Sequence, residues 1–180
     1  RHHGRRRSRR IAARTPRLRG LPRGAAFLSI PFAPRPIGGR RGAKPATMDI
    51  SPVPVTDLPD VLALLADCDL PVADIGPQAS PLFSALRGDS RLVAVVGFEV
   101  HGRAGLLRSL AVVPERRGAG LGRALVADAE SRASASGVRA LYLLTTTAAE
   151  FFRRLGYRAE DRASAPAAIR ATAQFTGLCP

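Results

Sequence analysis

The residues best suited to chemistry lie between Val112 and Arg123, in the order Val-Val-Pro-Glu-Arg-Arg-Gly-Ala-Gly-Leu-Gly-Arg. An apolar, strand-like run precedes them and a helical pattern follows. Glycines at such a junction let the main chain pass close to a ligand. The free N–H groups of the first helical turn then form a ready site for an anion. Arg117 adds a charged, forked donor beside it. Together these suit a pyrophosphate. A plain tight turn is the alternative that the glycines leave open. A dinucleotide site would need Gly-x-Gly-x-x-Gly, a parallel sheet and an acid about 20 residues on. Here the spacing is Gly-x-Gly-x-Gly, the preceding runs read as antiparallel, and the next strand ends in Leu-Leu-Thr. No Gly-Lys-Ser/Thr follows, which excludes a Walker loop.

Other candidates are single residues. Glu99 falls on a predicted central strand, where a carboxylate can act as a base; a solvent-facing partner for Arg91 or Arg108 is the alternative. His101 follows in the same hairpin. An imidazole is the usual base near neutral pH, but the position also reads as an exposed turn. Arg108 interrupts an apolar run, either to clamp a substrate carboxylate or to pair on the surface. Cys68 reads as a core residue, and Cys179 as a tail thiol. Two distant cysteines make neither a disulfide scaffold nor a zinc site, and no metal site is expected. A reducing cytoplasm fits them best.

These residues need elements to hold them. Asp49 to Val55, with Pro52 and Pro54, reads as an edge strand. Thr56 can cap a helix running to about Asp67, with Leu58, Val61, Leu62 and Leu65 on one face. Leu82–Leu86, Leu92–Val100 and Gly105–Val113 are strand-like runs separated by short turns, hence antiparallel hairpins. The glycine segment then opens a helix to about Ser136, where Asp128 and Arg132 can pair at i,i+4. Val138 to Thr145 is a continuous apolar run, as in a strand covered on both faces. A helical crossover makes it the parallel neighbour of Gly105–Val113. Thr147-x-x-Glu150 reads as a capping box for a helix ending at Gly156. Tyr157 to Arg162 suggests a short strand, Pro166 starts a short helix, and Ala173 to Leu178 suggests a last strand. The expected fold is α/β (α+β): a mixed, mostly antiparallel central sheet flanked by helices.

The 180 residues carry a formal charge of +14, which would ordinarily suggest nucleic acid or an anionic membrane. Half of the 28 basic residues stand in residues 1–47, which hold no acid; residues 48–180 carry 14 of each sign. The excess therefore belongs to an Arg-, Pro- and Gly-rich extension, expected to be disordered. It could serve as a nucleic-acid arm or a targeting peptide, but it lacks an aromatic series, a long apolar stretch and an Ala-x-Ala site. Ser8-Arg9-Arg10 lacks the apolar region of a twin-arginine signal. The simplest reading takes 1–47 as sequence upstream of the domain, with translation beginning at Met48, the only methionine. No run of about 18 apolar residues could cross a membrane as a helix. One domain at 48–180 is expected.

Arg117-x-x-Gly120-x-Gly122 after a strand resembles the acetyl-CoA signature of the GCN5-related N-acetyltransferases. EFFRRLGY at 150–157 resembles that family's later helix. LLRSLAVVPERRGAGLG, LYLLTTTAAEFFRRLGY and PAAIRATAQF-x-x-LCP together resemble its arsenic-resistance branch. The resemblance spans 48–180. It implies an acetyl-CoA-dependent N-acetyltransferase acting on a primary amine of a small molecule, with an arsenic-containing, amino-acid-like toxin as the sharper expectation. It implies a cleft where strands four and five splay apart, at Leu107–Val113 and Leu141–Thr145. Leu110, Ala111 and Val112 would pair with the pantetheine arm. Arg117, Gly118, Ala119, Gly120, Leu121, Gly122 and Arg123 would hold the pyrophosphate, with Phe152 nearby. Many members carry a tyrosine where Phe152 stands, as an acid for the leaving thiolate. Tyr142, Thr145, Thr146 or water must serve instead, while Phe152 reads equally as core. Expected partners are a small-molecule amine and no membrane, with nucleic acid disfavoured, in a monomer or homodimer. A basic nucleic-acid-binding protein and a non-catalytic acyl-CoA-binding domain are the rival classes.

Overall fold

A computed structural model describes residues 25–32, 49–76, 81–89 and 91–178. Among these, seven strands make one sheet: β1 (Ala26–Pro31), β2 (Ile50–Pro52), β3 (Leu82–Gly88), β4 (Arg91–His101), β5 (Ala104–Val112), β6 (Ala140–Thr145) and β7 (Arg158–Ala159). Four helices accompany them: α1 (Leu58–Asp67), α2 (Leu121–Ala135), α3 (Ala149–Arg154) and α4 (Ala167–Arg170). The sheet order is β2-β3-β4-β5-β6-β1-β7, antiparallel throughout except for the β5–β6 pair. This is the mixed, mostly antiparallel fold expected. The proline-containing β2 lies at the sheet edge, where a missing N–H costs no ladder bond.

The sheet is buried on both faces because β4 alternates around a nearly continuous apolar run. Ala94, Val96 and Phe98 join the core under α2, with Leu125, Val126 and Ala129. Val95 joins the second core under α1, with Val61, Leu64 and Leu65. Asp128 and Arg132 do not meet as the expected pair. Both converge on the Ser84 hydroxyl, which donates to Asp128 at 2.6 Å and accepts from Arg132, tying α2 to β3.

The largest departure concerns residues 1–47. Within the stretch expected to be disordered, β1 lies between β6 and β7 and pairs with both. Phe27 and Leu28 are buried. Ala26 opposes Thr145 and Pro31 opposes Ala140, so Pro31 sits at the strand end, where its missing N–H is tolerated. A domain boundary at 47/48 would therefore divide the sheet. The other expectations about this extension, Met48 included, fall outside the described residues.

Three local expectations are also corrected. Thr147 does not cap α3; Ala148 holds the cap position, and its N–H donates to Thr145 Oγ1 at 2.9 Å. Gln174–Leu178 is a π-helical turn instead of a strand. Tyr157 to Arg162 contributes only the two-residue β7. No helix among the described residues is long and apolar enough to cross a membrane.

Candidate active site

Strands β5 and β6, the fourth and fifth of residues 48–180, pair only from Ala104–Ala140 to Leu106–Tyr142. Beyond Leu106 they separate, which leaves that edge of β5 without a strand partner. The divergence is reinforced on the other side of β5. The β4–β5 register shifts between Val95 and Gly97, and Ser109 adopts a left-handed φ of 54°. Such a conformation in a residue with a Cβ is strained and occurs mostly where function requires it.

The opening continues into a cleft of about 670 Å³, a size typical of ligand sites. Its wall includes Leu110, Ala111, Val112, Arg117, Gly118, Gly120, Leu121, Gly122 and Arg123, all expected at the cofactor site. Gly118 and Gly120 both take φ of 81°, where any other residue would be strained, and a Cβ at either would meet open space. Gly120 is the N-cap of the 15-residue α2, and no side chain caps that end. The first-turn N–H groups are thus left for an anion, with the positive end of the helix dipole behind them. Arg117 is exposed, and its Nε donates to the Val112 carbonyl at 3.0 Å, which aims the guanidinium beside the turn. Arg116, Arg117 and Arg123 outweigh Asp69 in this cleft. The residues present therefore fit acetyl-CoA: an open strand edge for an extended amide chain, then a cationic, glycine-lined end for a pyrophosphate.

Two expected residues are placed elsewhere. Ala119 is not among the cleft-lining residues. Phe152 is 4 % exposed and packs in the main core against Tyr157; its neighbour Phe151 lines the cleft. One residue of helical phase separates these positions, and the Phe-Phe pair gave no signal for choosing between them. Cys68 is half-buried and lines the cleft too, with Sγ 3.9 Å from the Val112 carbonyl. Thr147 and Ala148 complete it; the polar Thr145–Thr147 run ending an apolar strand was the available signal for them.

Glu99, His101 and Arg108 come together on the face of β4 and β5 that α4 partly covers. Arg108 is neither a free clamp nor a surface partner. Its side chain is 3 % exposed and grips Asp74 through both terminal nitrogens, the Nη2–Oδ1 bond being 2.6 Å. Nη1 also donates to Glu99 Oε1 at 2.9 Å. The second Glu99 oxygen accepts from His101 Nε2 at 2.9 Å. His101 is thus a partner of Glu99 and not a loose turn residue. With Nε2 donating, Nδ1 is the proton-accepting atom of the neutral ring. Gln174 adds a 3.3 Å bond to Asp74. Burial alone would raise the Asp74 pKa, but hydrogen bonds and charge from Arg108 outweigh it and hold the carboxyl below its usual range. Burial likewise opposes the Arg108 charge, and the two carboxylates more than restore it.

This cluster borders a recess of about 500 Å³, with Asp74, Glu99 and His101 on its wall. Neither Tyr142 nor Thr145 is among its lining residues. Tyr142 stacks on Phe27, centroids 5.6 Å apart and planes within 8°. Burial, and then the Glu160 charge, raise its pKa, which keeps the phenol protonated. Thr145 Oγ1 accepts the Ala148 N–H, which leaves its own proton available. No group of three or more potential metal-binding side chains occurs among the described residues.

Residues 80–159 match the family model of the acetyltransferase (GNAT) domain. Over 65 residues the chain is 43% identical to an amino-acid acetyltransferase of Pseudomonas fluorescens (strain Pf0-1), a match covering 36% of this chain and 15% of that protein. The chain thus spans a minor part of that relative. Among solved structures, N-acetylglutamate synthase from Neisseria gonorrhoeae, complexed with coenzyme A and N-acetyl-glutamate, superposes with a TM-score of 0.65 at 23% identity. That match covers 76% of this chain and 34% of the synthase chain. A GNAT-family putative acetyltransferase from Novosphingobium aromaticivorans gives a TM-score of 0.55 at 26% identity, covering 77% of this chain and 61% of that one.

Proposed function

We propose that this chain, whose residues 80–159 match the acetyltransferase (GNAT) domain, transfers the acetyl group of acetyl-CoA to a primary amine of a small molecule. The observation that carries the reading is the splayed β5–β6 pair, opening onto an uncapped helix N-terminus flanked by Arg117 and Arg123. An ordinary tight turn would need none of the open strand edge, the cationic walls or the cleft.

In this reading the pantetheine arm lies along the free edge at Leu110–Val112, as an added strand does. The pyrophosphate rests on the Gly118–Arg123 turn. Glu99, directly or through His101 Nδ1, takes a proton from the incoming ammonium. The neutral nitrogen then attacks the thioester carbon. A C–N bond forms, the C–S bond breaks, and the nitrogen sheds its second proton as the thiolate leaves to be protonated. Most of the acceleration comes from holding amine and thioester together and from stabilising the oxyanion. Phe152 lies in the core and donates nothing, so the proton shed by the nitrogen reaches the thiolate through Thr147, which lines the cleft, or through water. A free thiol's pKa near 8.5 makes that step undemanding.

The Pseudomonas relative and the arsenic-resistance resemblance place amino-acid-like acceptors, arsenic-containing ones included, in the acceptor panel beside plain amines. Two measurements test the reading. Calorimetric titration with acetyl-CoA should give saturable binding that weakens in Arg117→Ala. Mass spectrometry of an amine panel incubated with enzyme and acetyl-CoA should find an N-acetylated product. Binding without any product would favour a non-catalytic acyl-CoA-binding domain. Salt-sensitive DNA binding without acetyl-CoA binding would favour a nucleic-acid protein.

A further inference from the structure

We infer that the acceptor recess selects an amine cation without a carboxylate, and that Asp74 sets this preference. The inference rests on the acetyltransferase reading above and sets the recess against amino-acid-like acceptors, so the two substrate classes are opposite outcomes of the test below.

The argument begins with the recess wall. Its charged members are Asp74, Glu99 and His101, and among the described residues no lysine or arginine lines it. The nearest guanidinium, Arg108, is buried beneath them. Asp74 holds two of its nitrogens and Glu99 shares one. A carboxylate entering the recess would meet two carboxylates and, among the described residues, only a guanidinium already held by both of them. An ammonium would meet complementary charge, beside an imidazole able to take its proton. The rest of the wall suits a slim apolar stem: Leu82 and Val100 on the sheet, Ala168, Ala171 and Thr172 beneath.

Asp74 stands apart from the catalytic strand, on the segment after α1. Main-chain bonding from Ile75 N–H to the Val72 carbonyl at 3.0 Å and burial of the Ile75 side chain fix it there. Its carboxylate acts in two ways. It occupies Arg108, which would otherwise offer a substrate carboxylate a forked partner, and it adds negative charge to the wall. Like-charge juxtaposition is an effective means of rejecting a wrong partner.

The test compares acceptors that differ only by the carboxylate: agmatine against arginine, and cadaverine against lysine. The wild-type chain should favour the decarboxylated member by about tenfold or more in kcat/KM. Asp74→Asn should narrow that ratio by improving the amino acid relative to the amine, and Asp74→Glu should restore it. General damage to the fold would lower both members together. Calorimetric titration of the same pairs into the chain saturated with CoA reads the preference without turnover. Absence of any acetylated product would count against acetyl transfer, whereas the order of affinities still decides the selectivity. Equal or stronger binding of the amino acids by the wild type would overturn the inference. So would an Asp74→Asn variant that folds and keeps the wild-type ratio.

Discussion

Replacement of Leu28 by alanine asks whether β1 is part of the folded domain. Leu28 is fully buried, at 0 % exposure, within the main core. It sits opposite Leu143 of β6 and Ala159 of β7. Truncating a buried leucine removes its transfer free energy and leaves a cavity, which together cost about 2–5 kcal/mol. In a domain of this size, each kcal/mol lowers Tm by about 2–4 °C. Leu28→Ala should therefore melt about 4–20 °C below wild type. Chemical denaturation should show the same loss at unchanged slope. Val55→Ala provides the control. Val55 is 73 % exposed, and its truncation should change stability by no more than about 0.5 kcal/mol. A Leu28→Ala variant as stable as this control would refute the placement of β1. It would restore a domain beginning near residue 48.

Further predictions follow from the site and the core. Arg117→Ala should weaken acetyl-CoA binding by about tenfold, the scale of one charge-assisted hydrogen bond, as measured by calorimetry. Gly120→Ala should cost about 1–2 kcal/mol, because φ of 81° is left-handed; thermal unfolding would measure it. Glu130 has a pKa raised by burial, only partly offset by the Tyr157 hydroxyl. The folded state then holds this proton more tightly than the unfolded chain. Wild-type stability relative to Glu130→Gln should fall as pH rises from the ordinary carboxylate pKa through the raised one. Denaturation at a series of pH values would follow the difference.

Much of the fold was legible because its signals are local. Short turns after Gly88 and His101 imply hairpins, and a helix between β5 and β6 implies parallel neighbours. The Gly118–Gly122 spacing pointed to the anion site without any tertiary information. Other features depend on contacts distant in sequence. AFLSIP at 26–31 is flanked by arginine and proline and becomes a strand only through pairing with residues 140–145 and 158–159. Composition over a short window reports none of that. The same limit hid Asp74, a single loop carboxylate that acquires its role when Arg108, 34 positions later, folds against it. Phe151 lines the cleft while Phe152 fills the core, a division that a helix of six residues has too few turns to show in sequence. The Thr147 capping box failed for a similar reason: Thr145, at the end of β6, supplies the hydroxyl that meets the Ala148 N–H.

Release of free thiol from acetyl-CoA, followed with and without primary amines, tests the acetyl-transfer reading most directly. Amine-dependent release should occur, in step with an N-acetylated product, and should fall in Arg117→Ala at sub-saturating acetyl-CoA. Saturable acetyl-CoA binding with no amine-dependent thiol across a broad amine panel would contradict catalysis and leave a domain that only binds the coenzyme.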